Sequence, residues 1–406
     1  MRVDPAVTLT SQLKSASLAH YDLGSGYAQI MVPDYILDAY SDAGWLDTFN
    51  GQVGHSDLGH DASQRLDEAV RSFLGMRGDS SDWKVFSTYS GSIALDRALT
   101  GMINLLKSRG RKVVQVVTTS PCIDIMGLLL AEHSHVRAHY VRSNRGQALG
   151  ELDAQALVDR LAWLRQAFPD DGRLVLLASP ENPTGFLWDS DALHFVARAC
   201  AEHDAPLLVD HSFLLAGVHQ DIPARVWDAA DDSNLWVGLW DTGKTIGLAG
   251  DKLGFIITSN DEVSRYVEEA LAVTQFDISV RQKMTFSRIL EVARDREYVD
   301  VLRRLCRENL QTLELALMGT GIEVRSPLAG SLVVLTLPEG YRDEHARLRL
   351  LDADVGVVAG SVFFHDTWIM RNMLRLALAR DVDYFGGAVE IMAQVLGPAL
   401  KRGTPL

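Results

Sequence analysis

A few short stretches of this chain hold residue types that could do chemistry together. Lys244 stands in Asp-Thr-Gly-Lys-Thr-Ile-Gly-Leu-Ala-Gly-Asp-Lys-Leu-Gly at 241–254, a Gly-rich stretch behind an apolar run. An amine in such a place can condense with an aldehyde to an imine, and can later carry a proton. Asp210, in Val-Asp-His-Ser-Phe at 209–213, also follows an apolar run. A carboxylate there can hold a ring nitrogen protonated. Thr-Tyr-Ser-Gly-Ser at 88–92 opens an amphipathic stretch, and small residues at a helix N-terminus turn free amides and a dipole toward a phosphate. Arg375 interrupts the apolar run 373–379; buried unpaired it would be costly, so an anion is expected beside it. Each piece alone has a bland reading: a solvated lysine, a helix-capping Asp, a helix N-cap at 90–92 and, for Asn182-Pro183, an ordinary turn.

The elements that must position these residues follow from periodicity. Apolar spacing at Leu66, Val70, Phe73 and Leu74 predicts a helix from about 64. Strands are expected at 83–88, 112–119, 136–142, 173–178, 206–210, 235–241 and 252–258, alternating with helices in the first half. Val/Leu/Ile-rich strands between helices indicate an α/β fold: a large domain with a mainly parallel, seven-stranded-type sheet covered by helices on both faces. Right-handed crossovers collect the strand C-termini on one edge, where chemistry is to be sought. After about 262 the pattern turns helical, and a long helix around 280–315 is the expected boundary to a smaller α+β C-terminal domain. The division reads as an N-terminal arm over the active site at 1–45, a large domain at 46–290 and a small domain at 291–406.

Composition narrows the function. With 39 Lys and Arg against 53 Asp and Glu, the net charge is −14, which opposes binding to nucleic-acid phosphates. No apolar run reaches the ~18–20 residues of a membrane span, and the start lacks a signal-peptide pattern. Three cysteines with no CxxC pair suggest neither a disulfide framework nor a thiolate zinc cage. A cytoplasmic protein without membrane or nucleic-acid partners is expected. His55 and His60 in a Gly-rich stretch are a weak metal signal, and no metal is assigned.

In its ordered motifs the chain resembles the fold-type I pyridoxal-phosphate (PLP) enzymes of the class I/II aminotransferase group, over about 60–400. Asn182 in Asn-Pro-x-Gly, Asp210 28 residues on, Lys244 34 further, then Gly250, Lys252 and Gly254 at +6, +8 and +10, carry the resemblance. The small domain adds Gly-Val-Val-Ala-Gly-Ser-Val-Phe at 356–363 and Arg375 in the carboxylate-binding slot. The resemblance implies PLP as cofactor, with Lys244 as the imine-forming lysine and proton carrier and Asp210, beside Ser212, at the pyridine nitrogen. It places Asn182 at the ring's phenolic oxygen, Ser90, Gly91, Ser92 and Lys252 at the phosphate, Ile123 at the ring-stacking position and Arg375 at the substrate carboxylate. It also implies a homodimer with active sites at the subunit interface.

Departures from the family pattern shape the expected function. Phe213 stands where a Tyr donates to the phenolic oxygen, Ile123 where a ring stacks, Asp241 at −3 and Gly243 at −1 from the lysine, and Lys252 for Arg at +8. Asp241 is expected to meet a cationic substrate group, with Tyr27 and His365 as further substrate contacts; Tyr89 could pack near the ring. Asp-Thr-Gly-Lys, Asp-x-Ser-Phe, Lys252 and Phe364-His365 resemble the PLP- and oxygen-dependent arginine oxidases and hydroxylases. The resemblance therefore implies an enzyme of specialised metabolism that stores a Cα carbanion as a quinonoid from an amino acid with a cationic or polar side chain. Oxidation by dioxygen, or β/γ-elimination or replacement, on S-adenosylmethionine for example, would follow. An ordinary aminotransferase is the alternative.

Overall fold

The computed structural model describes residues 5–42, 56–76, 83–142, 153–216, 218, 226–228, 230, 235–327, 329–365 and 370–401. The N-terminal arm holds a helix Pro5–Ala16, a short strand β1 (Tyr21–Asp22) and a helix Asp34–Ser41. Seven strands then form one sheet: β2 (Lys84–Thr88), β3 (Val114–Ser120), β4 (Val136–Arg142), β5 (Gly172–Ala178), β6 (Leu207–Asp210), β7 (Trp236–Asp241) and β8 (Gly254–Thr258). Their spatial order is β2-β8-β7-β6-β5-β3-β4, and β8 alone runs antiparallel to its neighbours.

Every residue of β3 and β5 is buried, as expected of central strands covered on both faces. Alternate residues serve opposite cores. Leu174 and Leu176 of β5 pack with Leu95, Leu99 and Met102 of the helix Gly91–Ser108. Val175 and Leu177 face Leu161 and Leu164 of the helix Ala154–Ala167 and Val196 of Ser190–Glu202. Each such side chain, fully buried, contributes about 1.5–3 kcal/mol, so the sheet is a rigid base for what its edge carries.

Register fixes that edge. Ala178 pairs with Asp210, Asp210 with Leu239, and Asp241 with Gly254, which in turn pairs with Thr88. The turns after β2, β5, β6 and β7 therefore emerge side by side, as expected from the crossover rule.

The C-terminal part builds a four-stranded antiparallel sheet, ordered β12-β13-β10-β9, from β9 (Glu323–Arg325), β10 (Leu332–Thr336), β12 (Val358–Ala359) and β13 (Met373–Ala377). The strand β11 (Val355–Gly356) pairs with β1 in parallel. The arm is thus tied to the small lobe, while Ile36 and Ala39 of its second helix join the core of the large one. Two expectations are corrected. The helix expected from 64 begins at Ser56. The long helix around 280–315 is two, Val280–Asp295 and Tyr298–Leu317, broken at Glu297, whose backbone is left-handed with φ 52°; few non-glycine residues adopt this conformation, and it cannot continue a right-handed helix. Among the described residues no helix is long and apolar enough to cross a membrane.

Candidate active site

The turn after β6 sets Asp210 at the sheet edge, half-buried. Its Oδ1 accepts from the Ser212 backbone N–H at 2.9 Å and from Ser212 Oγ at 2.5 Å. Burial raises its pKa above the ordinary carboxyl value; the Ser212 bonds and the nearby Lys244 ammonium pull the other way, while Asp241 adds to the rise. A carboxylate so placed gains most from a cation seated against it. Ser212, expected at the cofactor, reaches this carboxylate.

One residue after Asp210, His211 is completely buried against Trp227 and Trp236. Its Nδ1 lies 2.8 Å from the Ser179 carbonyl and therefore carries the proton. Burial holds its pKa down at about 4, so the ring stays neutral. With Ser179 N–H donating to the Asp210 carbonyl at 2.8 Å, this joins the ends of β5 and β6. The spacing of Asn182 from Asp210 is held by bonds that sequence reasoning missed.

Lys244 follows β7 on a short 3-10 turn, Thr242–Lys244. Its Nζ sits 3.7 Å from the centroid of the Tyr27 ring and 5.5 Å from that of Phe213. Lys252 Nζ lies 4.5 Å from the same Tyr27 ring and donates to the Ala249 carbonyl at 3.2 Å. Tyr27, Lys244 and Lys252 are thus brought together as a cation–aromatic group. A Cβ at Gly243 would lie 2.9 Å from Lys252 Cδ and 3.2 Å from Tyr27 Cδ1, so this contact requires glycine at 243.

Asp241 differs from expectation. Placed by its position to meet a cationic substrate group, it is 4% exposed, and both its oxygens are taken by backbone: Oδ1 by Gly243 N–H at 2.7 Å, Oδ2 by Gly91 N–H at 3.2 Å. The orphan amides of a tight turn and of a helix N-terminus draw the carboxylate. Ser90 caps the helix Gly91–Ser108 by accepting from Ile93 N–H at 3.2 Å, and Ser92 is exposed. Tyr89 is exposed at 45%.

Arg375 on β13 is buried, and its Nη1 donates to Asn182 Oδ1 at 3.4 Å. Nη2 donates to the Gly24 carbonyl of the arm, and Nε has no partner among the described residues. Burial lowers its pKa to about 10, so it remains a cation at neutral pH. Ile123 precedes the helix Asp124–Glu132, and Asp124 acts on Arg375. The His365 ring stacks on Tyr140 of β4 at 6.0 Å and lies over Gly127. His60 is exposed and His55 lies outside the described residues; among those described, no group of three or more His, Cys, Asp or Glu could hold a metal ion.

A further buried acid was not anticipated. Glu181 is 1% exposed; Thr184 Oγ1 donates to it at 2.8 Å and Thr119 also bonds it. Burial raises its pKa from 4.5 to about 7. The acid form therefore stabilises the fold fully below the unfolded value, and that contribution is lost as pH rises through the raised one. Glu181→Gln should leave stability nearly unchanged near pH ~4 and increase it by up to about 3 kcal/mol near pH ~8, as read by urea unfolding. An equal effect at both pH values would show that the carboxyl is not held neutral.

A family model, aminotransferase class I and II, matches residues 130–383. The chain belongs to this family. Pyridoxal phosphate is the cofactor of class I and II aminotransferases, and so of this one. The aspartate/prephenate aminotransferase of Thermus thermophilus is 26% identical over 240 residues, covering 58% of this chain and 60% of that relative. The chain thus spans less than two thirds of the relative's length. Among solved structures, that of MppP soaked with the product 2-ketoarginine superposes with a TM-score of 0.74 at 20% identity, covering 92% of this chain and 99% of that one. YbdL from Escherichia coli, described as having a methionine aminotransferase function, gives 0.76 at 18% identity, over 95% and 96% of the two chains. These similarities show the fold.

The residues present fit the cofactor of this aminotransferase family. Asp210 is a half-open carboxylate that favours a neighbouring cation, as a protonated ring nitrogen is. A Cβ at Gly254 would strike the Ser90 carbonyl carbon and oxygen at 2.3 Å, so the turn that opens the helix Gly91–Ser108 is closely backed. Arg375 is a buried cation with a spare donor. The Gly91 amide is held by Asp241 Oδ2 at 3.2 Å.

Proposed function

We propose that this chain binds an α-amino acid with a cationic or polar side chain, holds its carboxylate at Arg375 and moves its Cα proton with Lys244. The reaction then departs from ordinary transamination. The observation that carries the reading is Asp210 and Lys244 together at one edge of the seven-stranded sheet, with Arg375 of β13 reaching Asn182 at the same edge. Pyridoxal phosphate, when bound, supplies an electron sink for the Cα carbanion. Asp210 would keep the ring nitrogen protonated, Asn182 would donate to the phenolic oxygen, and Ser90, Gly91 and Lys252 would hold the phosphate. Arg375 would clamp the carboxylate with its planar fork.

Charge supports a cationic side chain. Asp22, Asp124, Asp210 and Asp241 act on Arg375 or on one another across the site, against Lys244, Lys252, Arg375 and Arg380. These four negative and four positive groups cancel. A phosphate at about −2, a protonated ring nitrogen, and a substrate carboxylate and α-ammonium that cancel each other together shift the site by about −1. A positive side chain offsets this. The similarity to the structure of MppP soaked with the product 2-ketoarginine agrees with such a substrate. Phe213, without a hydroxyl near Lys244, supports a course other than transamination.

The test incubates the PLP-loaded protein with single amino acids in D2O and follows loss of the Cα proton by NMR, with oxygen uptake and keto-acid release measured beside it. Basic amino acids should exchange at least about tenfold faster than neutral ones of equal length, the effect of about 1.4 kcal/mol of charge pairing. Oxygen uptake would assign the oxidative branch to dioxygen. Keto acid formed only with a keto-acid acceptor would favour the ordinary aminotransferase, the reading that the Thermus thermophilus relative suggests. Exchange with no amino acid at all would sink the proposal.

A further inference from the structure

We propose that Arg380 is a positioning residue that holds the 22–27 arm so that the Tyr27 ring rests on Lys244. The inference takes Lys244 as the reactive amine, and so rests on the function proposed above. Arg380 is completely buried, and all its described hydrogen bonds go to backbone carbonyls. Nε donates to Asp22 at 2.7 Å, Nη1 to Tyr27 and Ala379 at 2.9 Å each, and Nη2 to Ser25 at 2.6 Å. Three of these four carbonyls belong to the arm.

The arm needs such a clasp. Between β1 and Ala28 it runs Leu-Gly-Ser-Gly-Tyr with no helix or strand of its own, and two glycines make ordering it costly in entropy. Charge-assisted bonds from one rigid fork offset that cost. Asp22 completes the clasp: its Oδ1 accepts from the Gly24 and Ser25 N–H groups at 2.9 Å, and its charge faces Arg380. Arg380 is fixed in turn, since Asn309 Nδ2 donates to its carbonyl at 2.7 Å and to that of Leu378 at 2.8 Å.

The far end of the arm meets the lysine turn. Ala28 N–H donates to the Gly243 carbonyl at 3.3 Å, one residue before Lys244. With the Tyr27 carbonyl on Arg380 and its ring 3.7 Å from Lys244 Nζ, the ring's place is set from behind by the guanidinium. Lysine in place of Arg380 would keep the charge but could not span three carbonyls.

The test uses full-length Arg380→Met, Arg380→Lys, Tyr27→Ala and the double variant Arg380→Met with Tyr27→Ala. Two quantities are read: amide hydrogen exchange over 22–28, and the rate at which Lys244 is labelled by pyridoxal phosphate with borohydride, followed by mass spectrometry. Both Arg380 variants should exchange at least about tenfold faster over 22–28. The labelling rate of Arg380→Met should match that of Tyr27→Ala, and the double variant should show no further change. Wild-type exchange in Arg380→Lys, or additive labelling effects in the double variant, would overturn the proposal. Should Arg380→Met not fold, Arg380→Lys decides on both readouts. Failure of wild-type Lys244 to take the label would count against the proposed function, and the exchange over 22–28 would then decide this inference alone.

Discussion

Lys244→Ala should abolish turnover while leaving the fold intact. A positioned proton carrier is worth about 10²–10⁴-fold on its own, and the same amine is the covalent anchor in this reading, so a loss of at least about 10⁴-fold is expected. No neighbour is placed to substitute. Lys252 Nζ stands on the Tyr27 ring at 4.5 Å and is engaged with the Ala249 carbonyl. Lys283, the one buried lysine among the described residues, is bound to Asp277 and Ser63. Lys244 is half-buried and held by ring contacts, so its truncation should move the melting temperature little. The checks are Cα-proton exchange, a borohydride label at residue 244 and a thermal melt, run in parallel. Small added amines should restore part of the exchange, because the missing part is a base. A variant that keeps turnover, or takes the label on another lysine at the wild-type rate, would remove Lys244 from its proposed role.

What could be read beforehand depended on how each residue is held. Asp210, Asn182 and Lys244 were visible because strand length and helix crossover fix their separation, and those leave a spacing in the chain. The burial of β5 on both faces was visible too, in the unbroken apolar run Leu-Val-Leu-Leu-Ala. Contacts made to backbone leave no such mark. Every described bond of Arg380 ends on a carbonyl, and both oxygens of Asp241 end on amides, so neither partner set has a residue type to search for. The division of the chain places the arm over the active site but leaves the clasp unseen. The break at Glu297 was hidden because glutamate is a good helix former, and local preference was overridden by the turn between two packed helices. The helix start at Ser56 was hidden by its polar first turns, whose apolar stripe appears only from Ala62 and Leu66. The resemblance that singles out Phe364-His365 does not report the direction of the His365 ring, which stacks on β4.

Asp210→Asn should separate stability from function, with the two moving in opposite directions. Asparagine keeps the shape, and its carbonyl can accept both Ser212 bonds now made to Oδ1. What is lost is the charge. Removing one preorganised electrostatic partner of a reacting system costs about 10²–10³-fold in turnover. Pyridoxal phosphate binding should weaken by about 30-fold or more, the equivalent of about 2 kcal/mol for one side of a buried charge pair. Without cofactor the effect reverses. Burial raises the pKa of Asp210 in the folded protein, so its acid form stabilises the fold at low pH, and that contribution is lost as pH rises through the raised value. The asparagine variant escapes this loss. Its cofactor-free form should melt higher than wild type at neutral pH and equally in acid, while the cofactor-bound forms should rank the other way. Melting curves with and without pyridoxal phosphate at two pH values, beside a binding titration, test all of this on one protein. If the variant binds the cofactor as tightly as wild type, Asp210 does not face the ring nitrogen, and the grouping at the sheet edge on which the proposed function stands loses its centre.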